Sequence, residues 1–435
     1  MDISCWNEPC PARKAGFIGS KPMRKRFYLA LAALFFPFAL GAAPTEMKSW
    51  TSKAGTKLEA KAITVEGGEV SFERKDGKTL KVPLDKLADA DRKALEDHFK
   101  VDASGNAAPD LGHPQGETVG PVDAGGSKYF LYLPKPLKGG RKYPLIFYTS
   151  SGGGSADTLK PLIEGAEICG WVVACSVESK NGGEKNHEHA AKCVEHLKKT
   201  LPLDEDRIYF SGNSGGARMA YTNAAKLDGA GVLGLIAGAQ SGELKKGNHY
   251  FFISGAYDYN RYGTAFSYAE VARSAALRFH PGGHADGPGW LVTEGIVWLE
   301  GQWHRKAKEE APTRADYEAA VLAWIGKLKE SEDYRAAWWT GFLRESGVMA
   351  ANETALDGFG DMTAEPANAA YADGIAKLEE FAALVLATGP QGAPDCFEHT
   401  STEIQREADK LLATHAATPW VKEILEALKK KTDKG

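Results

Sequence analysis

The sequence predicts an α/β fold: a mostly parallel sheet with helices on both faces, with a small N-terminal β-barrel before it and a helical tail after it. Three observations carry this. Unbroken apolar runs recur through the middle of the chain, at 129–134, 144–148, 171–175, 207–210, 234–237 and 250–253. Helix-like stretches lie between them, at 188–200 and 215–226. Strands without polar alternation are buried on both faces, as parallel strands between helices are. After about residue 311 the strand signals stop, and amphipathic helices are expected at 317–330, 371–387, 403–413 and 421–430. The first of these is expected to close the sheet.

The chain has 435 residues, enough for two or three domains. Hydrophobic residues make up 43% and charged residues 25%, an ordinary globular balance. A formal net charge of −4 leaves no general footprint for nucleic acid or anionic membrane.

The N-terminus reads as a targeting segment. Met23, Arg24, Lys25 and Arg26 form a basic start, 27–40 is apolar, and Ala39, Leu40 and Gly41 supply small residues for cleavage. The apolar run is shorter than the roughly 20 residues needed to span a bilayer, so no stable membrane span is expected. Translation is expected to begin at Met23, making 1–22 a mis-assigned start and 23–42 a signal peptide. The mature protein is then secreted or periplasmic. Cys169, Cys175, Cys193 and Cys396 remain after cleavage; four cysteines allow three pairings, and buried free thiols are equally consistent.

The module at 47–100 carries short alternating strands at 70–73 and 80–84, with Lys75, Asp76, Gly77 and Lys78 as the turn. Such strands close best as a small barrel. A Gly/Pro/Asp/Ala stretch at 101–120 reads as a linker. The α/β domain is assigned to 121–330 and the helical region to 331–435.

Gly212-Asn213-Ser214-Gly215-Gly216 lies between the strand at 207–210 and the following helix. That is the context of a nucleophile elbow, a strained turn whose neighbours must be small. A serine hydroxyl needs a base to take its proton, and in such folds the acid and the histidine follow the serine in that order. Asp258, beyond the strand at 250–253, is positioned to orient a histidine. His284, on the Gly loop past the strand at 276–280, is the expected base. His280 is expected to pack within its strand, and Asp286 to be a loop residue. The oxyanion hole needs two backbone donors: Gly215 supplies one, and Ser151 or Gly152 the other. His187, His189, Cys193 and His196 crowd one helix but lack a second ligand pair nearby, so no metal is assigned. The Trp338-Trp339 pair is expected in the core, with a sugar-stacking platform as the alternative.

These residues resemble two families. Trp50, Leu58, Lys75-Asp76-Gly77-Lys78, Val82-Pro83-Leu84 and Lys86-Leu87 resemble SHD-type (SLA homology) SH3-like barrels, which bind or space; the barrel's ligand is not identified. Tyr132-Leu133-Pro134, Asp206-Arg207-Ile208-Tyr209, the 212–220 segment, Asp258 and Gly283-His284 resemble the carbohydrate-esterase and polyhydroxybutyrate-depolymerase-like branch of the α/β-hydrolases. One departure is evident. Ser150-Ser151 stands where that branch usually has His-Gly, so the loop-bracing histidine is missing. The resemblance implies an α/β-hydrolase sandwich without a cofactor. It also implies a secreted serine esterase acting through an acyl-enzyme, on short or aromatic acyl esters carried by a polysaccharide. The alternatives are a peptidase on the same scaffold and a catalytically silent binding protein of the cell envelope.

Overall fold

A computed structural model describes residues 44–99, 101, 111–135, 137–138, 141–306, 314–331, 333–346, 353–359, 362, 365–388, 402–415 and 418–430. The expected leader and Cys396 lie outside the described residues.

Four antiparallel strands form the N-terminal module: β1 (Lys48–Thr51), β2 (Lys57–Glu66), β3 (Glu69–Arg74) and β4 (Thr79–Pro83), in that spatial order. Their alternating residues put Trp50, Ala60, Ala62, Val70 and Phe72 on one buried face. That face is covered by Leu95 and Phe99 of helix α1 (Asp89–Phe99). The expected barrel is, among the described residues, an open sheet. An isolated bridge between Ser52 and Leu87 ties its two ends, and no ladder joins β1 to β4.

The second sheet has eight strands: β5 (Thr118–Asp123), β6 (Lys128–Tyr132), β7 (Tyr143–Thr149), β8 (Val172–Ser176), β9 (Leu203–Asn213), β10 (Gly231–Leu235), β11 (His249–Gly255) and β12 (Ala275–His280). Their spatial order is β12-β11-β10-β9-β7-β8-β6-β5. All neighbours from β12 to β8 are parallel, and β6 and β5 add antiparallel pairs at one edge. Strands β7, β8, β10 and β11 are buried at every position, as their unbroken apolar sequences require. The mostly parallel sheet with helices on both faces is the α/β architecture expected.

One face carries helices α3 (Asn186–Thr200), α4 (Gly215–Lys226) and α5 (Arg261–Val271); the other carries α2 (Lys160–Cys169) and α6 (Gly289–Lys306). Helix α6 has no counterpart in the sequence reading. It is buried nearly all round, so it shows no polar stripe from which a period could be read. It packs on β10, β11 and α2, whereas α7 (Arg314–Ser331), expected to close the sheet, packs on α2 and α8 (Asp333–Ser346). Helix α5 begins four residues before the expected 265–275. The second half of the expected linker belongs to the body, with Leu111 buried in the core and β5 starting at Thr118.

The C-terminal region adds a short α9 (Glu353–Leu356), α10 (Pro366–Thr388), α11 (Thr402–His415) and α12 (Pro419–Leu428). It shares the core of the eight-stranded sheet, since Tyr371, Ile375, Leu378, Val421 and Leu425 pack in the same cluster as β11 and β12. A buried charge cluster anchors it. Glu294 of α6 lies 3.4 Å from Arg335, 4.0 Å from Arg278 and 3.2 Å from the Trp339 indole N–H, while Arg278 donates to Glu379 at 2.7 Å. Trp339 is fully buried and Trp338 stacks on Phe342, which makes the pair core residues.

Candidate active site

The elbow is built by close approach. A Cβ on Gly212 would stand 2.5 Å from the Gly216 carbonyl carbon, and one on Gly216 2.8 Å from the Thr149 carbonyl carbon. Only glycine lets β9, the N-terminus of α4 and the end of β7 meet here. The Thr149 hydroxyl donates to the Gly216 carbonyl at 2.7 Å. Ser214 sits at the apex with φ 53° and ψ −121°, a strained conformation held by its N–H bond to the Leu235 carbonyl (2.9 Å).

Ser214, Asp258 and His284 come together from three loops at the C-terminal ends of β9, β11 and β12. His284 Nε2 lies 2.8 Å from Ser214 Oγ, and His284 Nδ1 lies 3.0 Å from Asp258 Oδ1. With Nδ1–H donated to the carboxylate, Nε2 presents its lone pair to the serine hydroxyl. Asp258 is fully buried, and burial pushes its carboxyl above the ordinary range. The Asn260 N–H (2.8 Å) and His284 act against that shift.

Two loops hold this geometry. The Ala256 N–H donates to the His280 carbonyl (2.9 Å) and the Tyr257 N–H to the Gly282 carbonyl (3.2 Å), so the acid and histidine loops are joined by backbone. His280 is buried in β12 and bonds through Nε2 to the Ala285 carbonyl at 2.9 Å. The histidine loop wraps around its ring, since Cβ atoms on Gly282 and Gly287 would stand 2.6 and 2.9 Å from it. Asn260 bonds to the Ile236 carbonyl (2.9 Å) and accepts from Arg218 (3.1 Å).

The expected oxyanion donors fare differently. Among the described residues no loop or turn bond of the Gly215 N–H conflicts with that role. The Ser151 N–H is bonded to Asn213 Oδ1 at 3.1 Å, so it is open to an oxyanion only where that bond gives way. The Gly152 N–H rests on the Ser150 hydroxyl at 3.2 Å, a rotor that can turn away.

Four nearby residues were not picked out for the site from the sequence: Asn181, Asn213, Tyr259 and Asn260. A fifth, Asp286, was taken for an ordinary loop residue. Tyr259 stacks on the imidazole with ring centroids 4.1 Å apart, and its hydroxyl is 2.8 Å from His284 Nε2, the same atom that faces Ser214. Only its position next to Asp258 could have drawn attention to it.

The histidines of α3 are engaged elsewhere: His187 with Asn223, His189 with Ser127 and His196 with Tyr129, each at 2.9 Å. No group of ligands suited to a metal is found among the described residues. Cys169, Cys175 and Cys193 are free thiols, and burial pushes the last two up to about 12. No helix among the described residues is long and apolar enough to cross a membrane.

No protein-family model matches the chain, and no curated protein does. Among solved structures it is similar to an arylesterase, at 13% identity over 45% of this chain and 87% of that one, with a TM-score of 0.36. An esterase from Pyrobaculum calidifontis matches at 15% identity over 48% of this chain and 86% of that one, with a TM-score of 0.33. An S-formylglutathione hydrolase from Staphylococcus aureus matches at 10% identity over 42% and 95%, with a TM-score of 0.33. At these scores the functional reading rests on the geometry of the site itself.

Proposed function

We propose that this chain is a secreted serine esterase that works through an acyl-enzyme. The observation that carries the proposal is the line from Ser214 Oγ to His284 Nε2 (2.8 Å) and from His284 Nδ1 to Asp258 (3.0 Å), on a serine held at positive φ. In this reading Ser214 Oγ attacks the ester carbonyl and its proton passes to His284 Nε2. Asp258 keeps the imidazole in the required tautomer and stabilises its cation. The Gly215 and Gly152 amides receive the developing oxyanion. The tetrahedral species collapses, the imidazolium protonates the departing alcohol, and water then cleaves the acyl-enzyme with His284 as base.

The acyl group is proposed to be short or aromatic, on a polysaccharide. The segment between β10 and β11, residues 236–248, is too short for a helical lid. Without a deep cover, a long acyl chain forgoes about 0.8 kcal/mol per unburied CH₂. An antiparallel N-terminal module whose sequence resembles the SHD type, and the leader expected at 23–42, suit an exported enzyme on a polymeric target. A series of p-nitrophenyl esters from acetate to palmitate tests this. Efficiency should be highest for the short esters and vanish in Ser214→Ala. Efficiency rising steadily to palmitate would contradict the acyl-size reading, and hydrolysis unaffected by Ser214→Ala would contradict the mechanism.

A further inference from the structure

The missing histidine of the loop after β7 raises the question of what braces that loop. Asn213 stands between the two loops that must be aligned. Its Oδ1 accepts the Ser151 N–H at 3.1 Å, and its Nδ2 donates to Asp286 Oδ2 at 3.2 Å. Asp286 is two residues beyond His284 on the histidine loop. On its far side the Ser151 carbonyl accepts the Asn181 N–H at 2.8 Å, and the Gly154 N–H bonds the Ser176 carbonyl at 3.0 Å. The Ser151 peptide is therefore clamped from both sides, and its orientation fixes where the next amide, that of Gly152, can point.

We propose that Asn213 and Asp286 are a positioning pair that locks the oxyanion loop and the histidine loop to the nucleophile elbow, replacing the absent histidine brace. This rests on the serine-esterase reading and specifies how its site is aligned. The residue before the nucleophile then has a task beyond being small. Its side chain touches both loops while its own backbone carries Ser214. An amide suits the position because it offers one acceptor and two donors on a planar group, matching an N–H on one side and a carboxylate on the other. Asp286 is partly buried, and burial raises its carboxyl above the ordinary range, with the Asn213 bond acting against that shift. A partly desolvated acceptor strengthens its bond to Asn213.

The test uses the full chain and four variants: Asn213→Ala, Asp286→Ala, Asp286→Asn and the double alanine variant. Turnover and KM are measured on p-nitrophenyl acetate, with the rate of Ser214 labelling by a fluorophosphonate and the melting temperature alongside. Misplacing catalytic groups by about 1 Å can cost about 10²-fold. Asn213→Ala and Asp286→Ala should each lower kcat and the labelling rate by roughly that factor, with KM changed less than about threefold. The double variant should be no slower than Asn213→Ala, since that substitution already breaks the bond to Asp286. Asp286→Asn should recover most of the loss seen in Asp286→Ala, because its amide oxygen still accepts from Asn213 Nδ2. A general loss of structure would instead lower the melting temperature and would not be rescued by asparagine. A kcat in Asn213→Ala within twofold of wild type, or losses that multiply in the double variant, would overturn the proposal. Wild-type protein that neither hydrolyses the ester nor takes the label would overturn the parent reading, and this inference with it.

Discussion

The side-chain amide of Asn181 occupies the space above Gly215, the residue after the nucleophile: its Cγ lies 2.8 Å from where a Cβ on Gly215 would stand, and its Oδ1 overlaps that position. Asn181 is exposed and on a turn, so it can be displaced without unfolding anything. Gly215→Ala should therefore fold normally but push the Asn181 amide across the oxyanion site, lowering kcat roughly tenfold to a hundredfold. Adding Asn181→Ala should restore part of that loss. Steady-state kinetics on the single and double variants checks both statements; an unaltered Gly215→Ala enzyme would refute the overlap.

In the proposed mechanism His280 and His284, four residues apart, do different work. His284→Ala removes the base and should cost on the order of a million-fold in kcat. His280→Ala leaves the Ser214 and Asp258 contacts of His284 in place and removes only the ring that the loop wraps. Its loss should stay near or below about a hundredfold. The reverse ranking in an ester assay would show that the base has been misassigned.

The distinction between these two histidines was legible in the sequence, because His280 falls within the period of its strand while His284 lies past it on glycines. The elbow and the apolar parallel strands were equally legible, being set by local pattern. Helix α6 was not, since burial on all sides erases amphipathic period. The bracing roles of Asn213 and Asp286 were not either. They depend on three loops, separated by more than sixty residues along the chain, converging at one point, and no local spacing encodes that. The bond of the Ser151 amide was hidden for the same reason, its partner being a side chain from another loop.

Glu294 is a buried carboxylate shared by Arg278, Arg335 and the Trp339 indole. Glu294→Ala removes the carboxylate that both buried guanidinium groups face, while Arg278 keeps Glu379. Removing one partner of such a buried group typically costs about 3–5 kcal/mol. Chemical denaturation should show a midpoint shift of that size, and a shift under about 1 kcal/mol would mean that the C-terminal helices are not anchored through this cluster.

His249 is buried beside Trp298, and burial together with Lys306 holds it down to about 4. The unfolded chain takes up that proton near the ordinary value of about 6.5. Between these values the unfolded state binds more protons, so stability rises with pH and is lost on acidification. This group alone should make the protein about 2 kcal/mol less stable at pH 5 than at pH 7. His249→Gln should flatten the slope of stability against pH over that window; an unchanged slope would assign the loss to other groups.

The central claim is that Ser214 is a nucleophile activated by His284 and oriented through Asp258. Its most direct test is to treat the intact protein with a fluorophosphonate and locate the adduct by peptide mass spectrometry. The account predicts a single adduct on Ser214, absent in Ser214→Ala and formed at least about a hundredfold more slowly in His284→Ala. No adduct, or one on another residue at an unchanged rate in Ser214→Ala, would contradict it.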